Sequence, residues 1–214
     1  MKPTHDMATG ETALIALVDS MPADSAAWNE ADTRHRFIDV LIHDVLGWDR
    51  AVTRLERHEG GEYSDYELGI PPEVVIEAKR AGVSFEIPHE GTTSVVRSIR
   101  SLTSMSREFK AAFEQAASYC ARRGIQIGVV STSSQAIVFL GARIDGVPVA
   151  EGKCLVLGEH QAFKEHFPRL WQAISPAAVQ QRELLRELTS IAPSGVPAKR
   201  SEERRVGKEC RSRW

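Results

Sequence analysis

The chain is poor in the features that assign a protein quickly. Its three cysteines, Cys120, Cys154 and Cys210, have no paired spacing, so neither a disulfide framework nor a cysteine zinc site is supported. No apolar run approaches the roughly 18 residues of a membrane span, and "AIVFLGA" at 136–142 is among the longest. The N-terminus has no basic start, long apolar centre or small-residue cleavage site, so the expectation is a cytoplasmic protein without a signal peptide. The patterns G-x-x-x-x-G-K-[ST], G-x-S-x-G and H-E-x-x-H are all missing, which argues against a P-loop ATPase, a nucleophile-elbow hydrolase or a zincin in this stretch. The seven histidines show no zinc spacing, and His35 and His43 read as helix-surface residues.

What is present reads as globular. Apolar residues make up 42% and charged residues 26%, and the length suits one domain with appendages. Residues 1–28 read as an N-terminal extension, with a short helix at "ETALIALVDSM". Residues 29–158 form the main domain, and 159–199 form C-terminal helices and a linker, "APSGVPAK" at 192–199. The last fifteen residues, "RSEERRVGKECRSRW" (200–214), resemble the translation of a common short-read sequencing adapter in one frame. That resemblance implies an artefactual tail, to be set apart from fold reasoning; the alternative is a natural basic tail that binds nucleic acid. The tail carries six of the 27 Lys/Arg and three of the 29 Asp/Glu, so the remainder is net −5. The expectation is that the natural chain continues past 199.

Hydrophobic periodicity gives the elements. "NEADTRHRFIDVLIHDVLGWD" predicts a helix capped by Asn29, with Phe37, Ile38, Leu41, Ile42 and Val45 as its apolar face and Gly47 as its stop. Three strand-like stretches follow, at about 51–57, 62–68 and 74–79, then a polar loop over 80–94. A helix is predicted over 106–123, stopped by Gly124, then strands "IQIGVVS", "QAIVFLG" and "KCLVLG". "ARIDGVPVAEG" reads as a turn, and 159–191 as helical with breaks near Pro168 and Pro176. This order indicates an α/β (α+β) domain built on a mixed β-sheet flanked by helices.

The stretch "SDYELGIPPEVVIEAKR" (64–80) carries most of the functional information. "GIPPE" suits a turn between two strands. Side chains alternate along a strand, so Tyr66 and Leu68 share a face with Val74 and Ile76. Burying those four fixes an antiparallel register, with Leu68 opposite Val74 and Tyr66 opposite Ile76. Asp65 then falls opposite Glu77 on the other face, and Lys79 shares it. Two carboxylates so opposed repel unless a proton or cation is shared. Mg²⁺ is held by one or two carboxylates plus phosphate and water, so the constellation suits a metal site open to a phosphate. The plain alternative is a surface salt bridge of Lys79 with Glu77, worth little.

Asp65 followed twelve positions later by Glu77-Ala78-Lys79 resembles the PD-(D/E)XK nuclease signature. The wording around it is similar to the N-terminal nuclease domain of type I restriction enzyme motor (R) subunits. "TRHRFIDVLIHDVLGWD" resembles that domain's first helix, and "QAASY" at 115–119 matches its Q-x-x-x-Y motif. The resemblance covers about residues 29–145. Ser64 stands where the signature often has Pro, and the nearest match to the family's first-helix acid is Glu30, with Asp32 close by. The resemblance implies a restriction-endonuclease-like core, Mg²⁺ (with Mn²⁺ as the substitute) and cleavage of DNA in restriction or phage defence. In the mechanism this suggests, Asp65, Glu77 and the Ala78 carbonyl hold the ion, and Lys79 orients the water and stabilises the transition state. Gln115 and Tyr119, spaced i, i+4 on the flank of a stripe of Phe109, Phe113, Ala116 and Cys120, read as support for the site or as DNA contacts; alone, they read as a boundary pair with Tyr119 half-buried and Gln115 solvated.

The net acidic body is unusual for a DNA-binding domain, so DNA affinity is expected from a local patch, for which Arg97, Arg100, Arg107 and Lys110 are candidates, or from a missing C-terminal ATPase or sensor part. Two other functions stay open. One is a binding module of the same fold, for nucleic acid or a partner, with little activity. The other is an RNA nuclease, disfavoured by the lack of an aromatic-rich strand platform. No membrane partner is expected, and a homo-oligomer is compatible with the sequence.

Overall fold

The structure is a computed structural model that describes residues 5–59, 62–80 and 95–189. The linker and tail beyond 189, and all but the first residue of the polar loop at 80–94, lie outside the described residues. The chain builds one seven-stranded mixed sheet in the order β1-β2-β3-β5-β6-β7-β4. Its strands are β1 (Thr53–Glu59), β2 (Glu62–Leu68), β3 (Val74–Ala78), β4 (Val96–Ser98), β5 (Ile127–Ser131), β6 (Gln135–Leu140) and β7 (Lys153–Gly158). Among the described residues only β3 and β5 pair in parallel; the other neighbours are antiparallel. The crossover from β3 to β5 carries α3 (Ile99–Met105) and α4 (Arg107–Arg123). The mixed α/β expectation therefore holds, with helices on both faces.

Each face has its own apolar layer. Against one face pack Leu14 and Leu17 of α1 (Met7–Asp19), Phe37, Ile38, Leu41, Ile42 and Val45, and the four C-terminal helices: α5 (Glu159–Glu165), α6 (Phe167–Ile174), α7 (Pro176–Gln180) and α8 (Glu183–Leu188). These cover Tyr66, Leu68, Val74 and Ile76. On the other face Phe109, Phe113 and Ala116 of α4 meet Val130, Ile137 and Phe139, and Tyr119 and Cys120 cover Val75. Cys120 and Cys154 are buried free thiols, and burial pushes both up to about 12.

Local chemistry explains the boundaries. The Ser106 hydroxyl accepts from the Phe109 N–H to start α4, and Gly124 ends it at φ 66, a left-handed cap that glycine adopts without strain. Asp49 accepts from the Ala51 N–H and holds a short turn over Arg50–Val52, so β1 begins two residues later than the apolar pattern suggested. Pro168 and Pro176 sit in the first turns of α6 and α7, where proline lacks only a donor that would go unused. A further break at Gln181 and Arg182, the latter at φ 55, separates α7 from α8.

The helix predicted from Asn29 to Gly47 is present but is not uniformly α-helical. Asn29 caps α2 (Glu30–Thr33) through the Asp32 N–H. The chain then widens into π turns over Arg34–Ile38 and Leu41–Val45, a form that recurs at functional sites. His35 is exposed, as expected, but His43 is a correction. It is half-buried, with its ring nitrogen 2.8 Å from the Trp48 carbonyl oxygen, because the chain turns back at Gly47 and brings that carbonyl over the last helical turn.

The N-terminal helix belongs to the same core as the sheet. A Cβ at Gly10 would lie 2.3 Å from the Val45 carbonyl oxygen and 2.7 Å from the Trp171 ring. Alanine normally stabilises a helix interior by about 1 kcal/mol over glycine, but here overpacking dominates. Gly10→Ala is expected to destabilise the fold by about 1–3 kcal/mol in thermal unfolding; an unchanged or higher Tm would show that α1 does not pack there.

Candidate functional site

The register of the β2–β3 hairpin follows from burial. Leu68 pairs with Val74, Glu67 with Val75 and Tyr66 with Ile76. Each full burial of such a side chain contributes about 1.5–3 kcal/mol, so a one-residue slip of β3, which would turn Val74 and Ile76 out of this layer and carry the Glu77 carboxylate into it, costs on the order of 3 kcal/mol or more. Asp65 is the next residue out on the face opposite Tyr66. Its Oδ2 accepts from the Ala78 N–H at 2.7 Å, standing in for a main-chain acceptor where the ladder ends. In an antiparallel pair the N–H and C=O of one residue point the same way, so the Ala78 carbonyl also faces Asp65. On the other side of β3 the Lys79 N–H donates to the Ser131 carbonyl oxygen at 2.8 Å, which fixes the backbone beside β5.

Lys79 Nζ donates to Glu77 Oε1. The Lys79–Glu77 salt bridge that the sequence left open is therefore present, but with the Glu77 side chain only 4% exposed and that of Lys79 22% it is largely buried rather than a surface pair. Burial is the largest influence on Glu77 and pushes its carboxyl up to about 7; Lys79 opposes this, while Asp65 and Glu30 add to it. For Lys79 burial works against the charged form, but Glu77, Glu30 and Asp65 together outweigh it and its ammonium lies above the ordinary value. Asp65, Glu77, Lys79 and Glu30 are thus within electrostatic reach of one another.

Two residues missed by the sequence reading complete the surroundings. Arg34, one turn after Glu30, places Nη1 3.5 Å from Asp65 Oδ1 and 3.0 Å from Glu56 Oε1, with its guanidinium 5.5 Å from the Tyr66 ring centroid. The i, i+4 spacing from Glu30 was the available signal. Glu67 is the other. Alternation puts it on the Asp65 face, and it is fully buried. Its Oε1 accepts from the Tyr119 hydroxyl at 2.5 Å and lies 3.5 Å from Arg123 Nη2.

This corrects the boundary-pair reading of Gln115 and Tyr119. Tyr119 is buried, because Glu67 receives its hydroxyl, and Gln115 is half-buried. The basic residues considered for DNA fall elsewhere. Arg97 lies on β4 opposite Cys154, four strand spacings or about 19 Å across the sheet from β3. Arg100 pairs with Glu151 at 3.2 Å, and Lys110 lies 3.8 Å from Glu114. Arg107 is exposed at the start of α4.

Among the described residues no group of three or more His, Cys, Asp or Glu side chains is arranged to hold a metal ion. Asp65 and Glu77 with the Ala78 carbonyl still fit a hard cation such as Mg²⁺, which takes oxygen donors and often only one or two carboxylates. A buried carboxyl held uncharged up to about pH 7 is a group whose ionisation a bound cation would favour. Comparison with family models, with curated proteins and with solved structures returns no match.

Glu77 makes stability depend on pH with a definite sign. A carboxyl raised from 4.5 to about 7 on folding binds its proton more tightly in the native state. Its stabilising effect is complete below pH 4.5 and is lost as pH rises through 7. Glu77→Gln is therefore expected to gain on wild type by up to about 3 kcal/mol between pH 4.5 and 7 in metal-free denaturant titrations, and a pH-independent difference would refute the shift. Tyr119→Phe leaves Glu67 buried with one donor fewer and is expected to cost about 1–3 kcal/mol. That loss should largely disappear in a Glu67→Leu background, which has no acceptor for the phenol, if the two side chains act through each other.

Proposed function

We propose that this chain is a divalent-cation-dependent nuclease domain that hydrolyses DNA phosphodiester bonds, of the PD-(D/E)XK type and serving restriction or phage defence within a larger protein. The observation that supports this best is the convergence of Asp65, Glu77 and Lys79 at the end of one hairpin, with Glu77 buried. The restriction or defence role, the ATPase or sensor partner and the preference for DNA rest on the sequence resemblance.

Asp65 and Glu77, with the Ala78 carbonyl, would hold Mg²⁺ or Mn²⁺. A bound ion lowers the pKa of its water and neutralises phosphate charge. Lys79, tied to Glu77, holds a proton at Nζ and aims a positive charge at the same place, suited to orienting a water and stabilising charge on the phosphate oxygens. Tyr119 and Glu67 act further back. Their bond ties α4 to β2 two residues from Asp65 and so fixes the strand that presents it. The second reading, a nucleic-acid or partner-binding module with little activity, is favoured by one observation: Arg34 and Lys79 already engage oxygens of Asp65 and Glu77.

A supercoiled plasmid incubated with the protein separates the two. Wild type is expected to nick and linearise it with Mg²⁺ and to stop on addition of EDTA. Glu77→Ala and Lys79→Ala should each fall by about 10²–10³ in rate. At limiting Mg²⁺ the wild-type rate should rise as pH approaches about 7, where metal-free Glu77 loses its proton, and more Mg²⁺ should move that rise to lower pH. Equal rates for all three proteins would remove these residues from the chemistry, and tight DNA binding without cleavage would favour the binding module.

A further inference from the structure

We propose that Arg34 is an exchangeable counter-ion of the site: it pairs with Asp65 while the site is empty and turns to a substrate phosphate once a cation takes Asp65. This rests on the nuclease reading and adds to it a residue that contacts the phosphate.

Four observations carry the inference. Both carboxylate contacts of Arg34 run through one nitrogen, Nη1, while a guanidinium has five donors in a planar fork suited to phosphate. The Asp65 contact, at 3.5 Å, is longer than the 2.7–2.9 Å of a charge-assisted hydrogen bond, so it is a loose Coulomb pair that a cation can displace. The Arg34 side chain, 20% exposed, reaches the exposed Glu56 as well as Asp65, placing it at the edge of the site, whereas Lys79, similarly exposed, is tied to buried Glu77. Finally, the Tyr66 ring beneath the guanidinium holds a cation at this place even when a carboxylate partner is lost, and Arg34 begins the first π turn.

In the β1–β2 pairing Leu55 lies opposite Tyr66 and Arg57 opposite Ser64, so Glu56 stands opposite Asp65. Its backbone has φ 48, a left-handed conformation costly for a non-glycine residue, and its side chain is 70% exposed. Arg34 thus bridges an exposed acid and a site acid, and losing the second leaves it anchored by the first.

The exchange predicts opposite signs for two equilibria, which a merely structural role would not produce. Ca²⁺ serves as the divalent probe, measured alone by calorimetry and then with a fluorescein-labelled DNA duplex by anisotropy. Arg34→Gln is expected to bind Ca²⁺ about two- to fivefold more tightly. With Ca²⁺ present it should bind the duplex about tenfold or more weakly, with the salt slope reduced by about 1; in EDTA the loss should be under about twofold, because Arg34 is then paired with Asp65. Arg34→Lys, which keeps the charge without the fork, should recover part of the duplex affinity and guards against misfolding of the glutamine variant. Weaker Ca²⁺ binding by Arg34→Gln, or an equal loss of duplex affinity in EDTA and Ca²⁺, overturns the exchange. A wild type that binds the duplex but never cleaves it with Mg²⁺ overturns the nuclease reading alone, and Arg34 is then judged by the two affinities. A wild type that binds no duplex with Ca²⁺ overturns both.

Discussion

The end of the β2–β3 ladder governs the rest of the site. Four apolar side chains on one face set the hairpin register, and the ladder stops where Asp65 turns its carboxylate onto the Ala78 N–H. That one hydrogen bond joins the two strands at the point where their polar residues meet. It places Asp65 beside the segment that carries Glu77 and Lys79, and it orients the Ala78 carbonyl toward the same space. The parallel neighbour β5 contributes from the other side, receiving the Lys79 N–H on Ser131. Hydrophobic burial supplies the energy of this arrangement, and the polar groups are carried into place by it.

The electrostatics follow from where the hairpin lies. Beneath α4 there is little water to solvate a carboxylate, so Glu77 resists ionisation despite its ammonium partner. Glu67, further in on the same face, is held by the Tyr119 phenol and the Arg123 guanidinium instead. Asp65 lies nearest the rim, shared between a backbone donor and Arg34. The three acids of one sheet face therefore occupy three different environments within two strands.

The α2 region reaches the site from the opposite face of the sheet. Its apolar residues join the layer under Tyr66 and Ile76, while Glu30 and Arg34 come round the edge toward Asp65 and Glu77. Tyr66 links the two sides: its ring lies under Arg34 and its hydroxyl donates to Asp39 at 2.8 Å. Burial and the Asp39 carboxylate both push that hydroxyl well above its ordinary value, so it serves as a neutral donor.

Alternation along two short strands was enough to determine the hairpin, its register and the meeting of Asp65, Glu77 and Lys79, because burial of one face leaves only one side for the other residues. Glycine, proline and capping residues likewise placed most helix and strand ends. The same alternation could have revealed Glu67, which lies two positions from Asp65. What Glu67, Tyr119 and Arg34 touch was beyond the sequence. Tyr119 is buried and Arg34 faces Asp65 only because α4 and the π-turned helix lie across particular strands. Those placements are set by the packing of two apolar layers across a seven-stranded sheet, between residues far apart in the chain, and no local period encodes them.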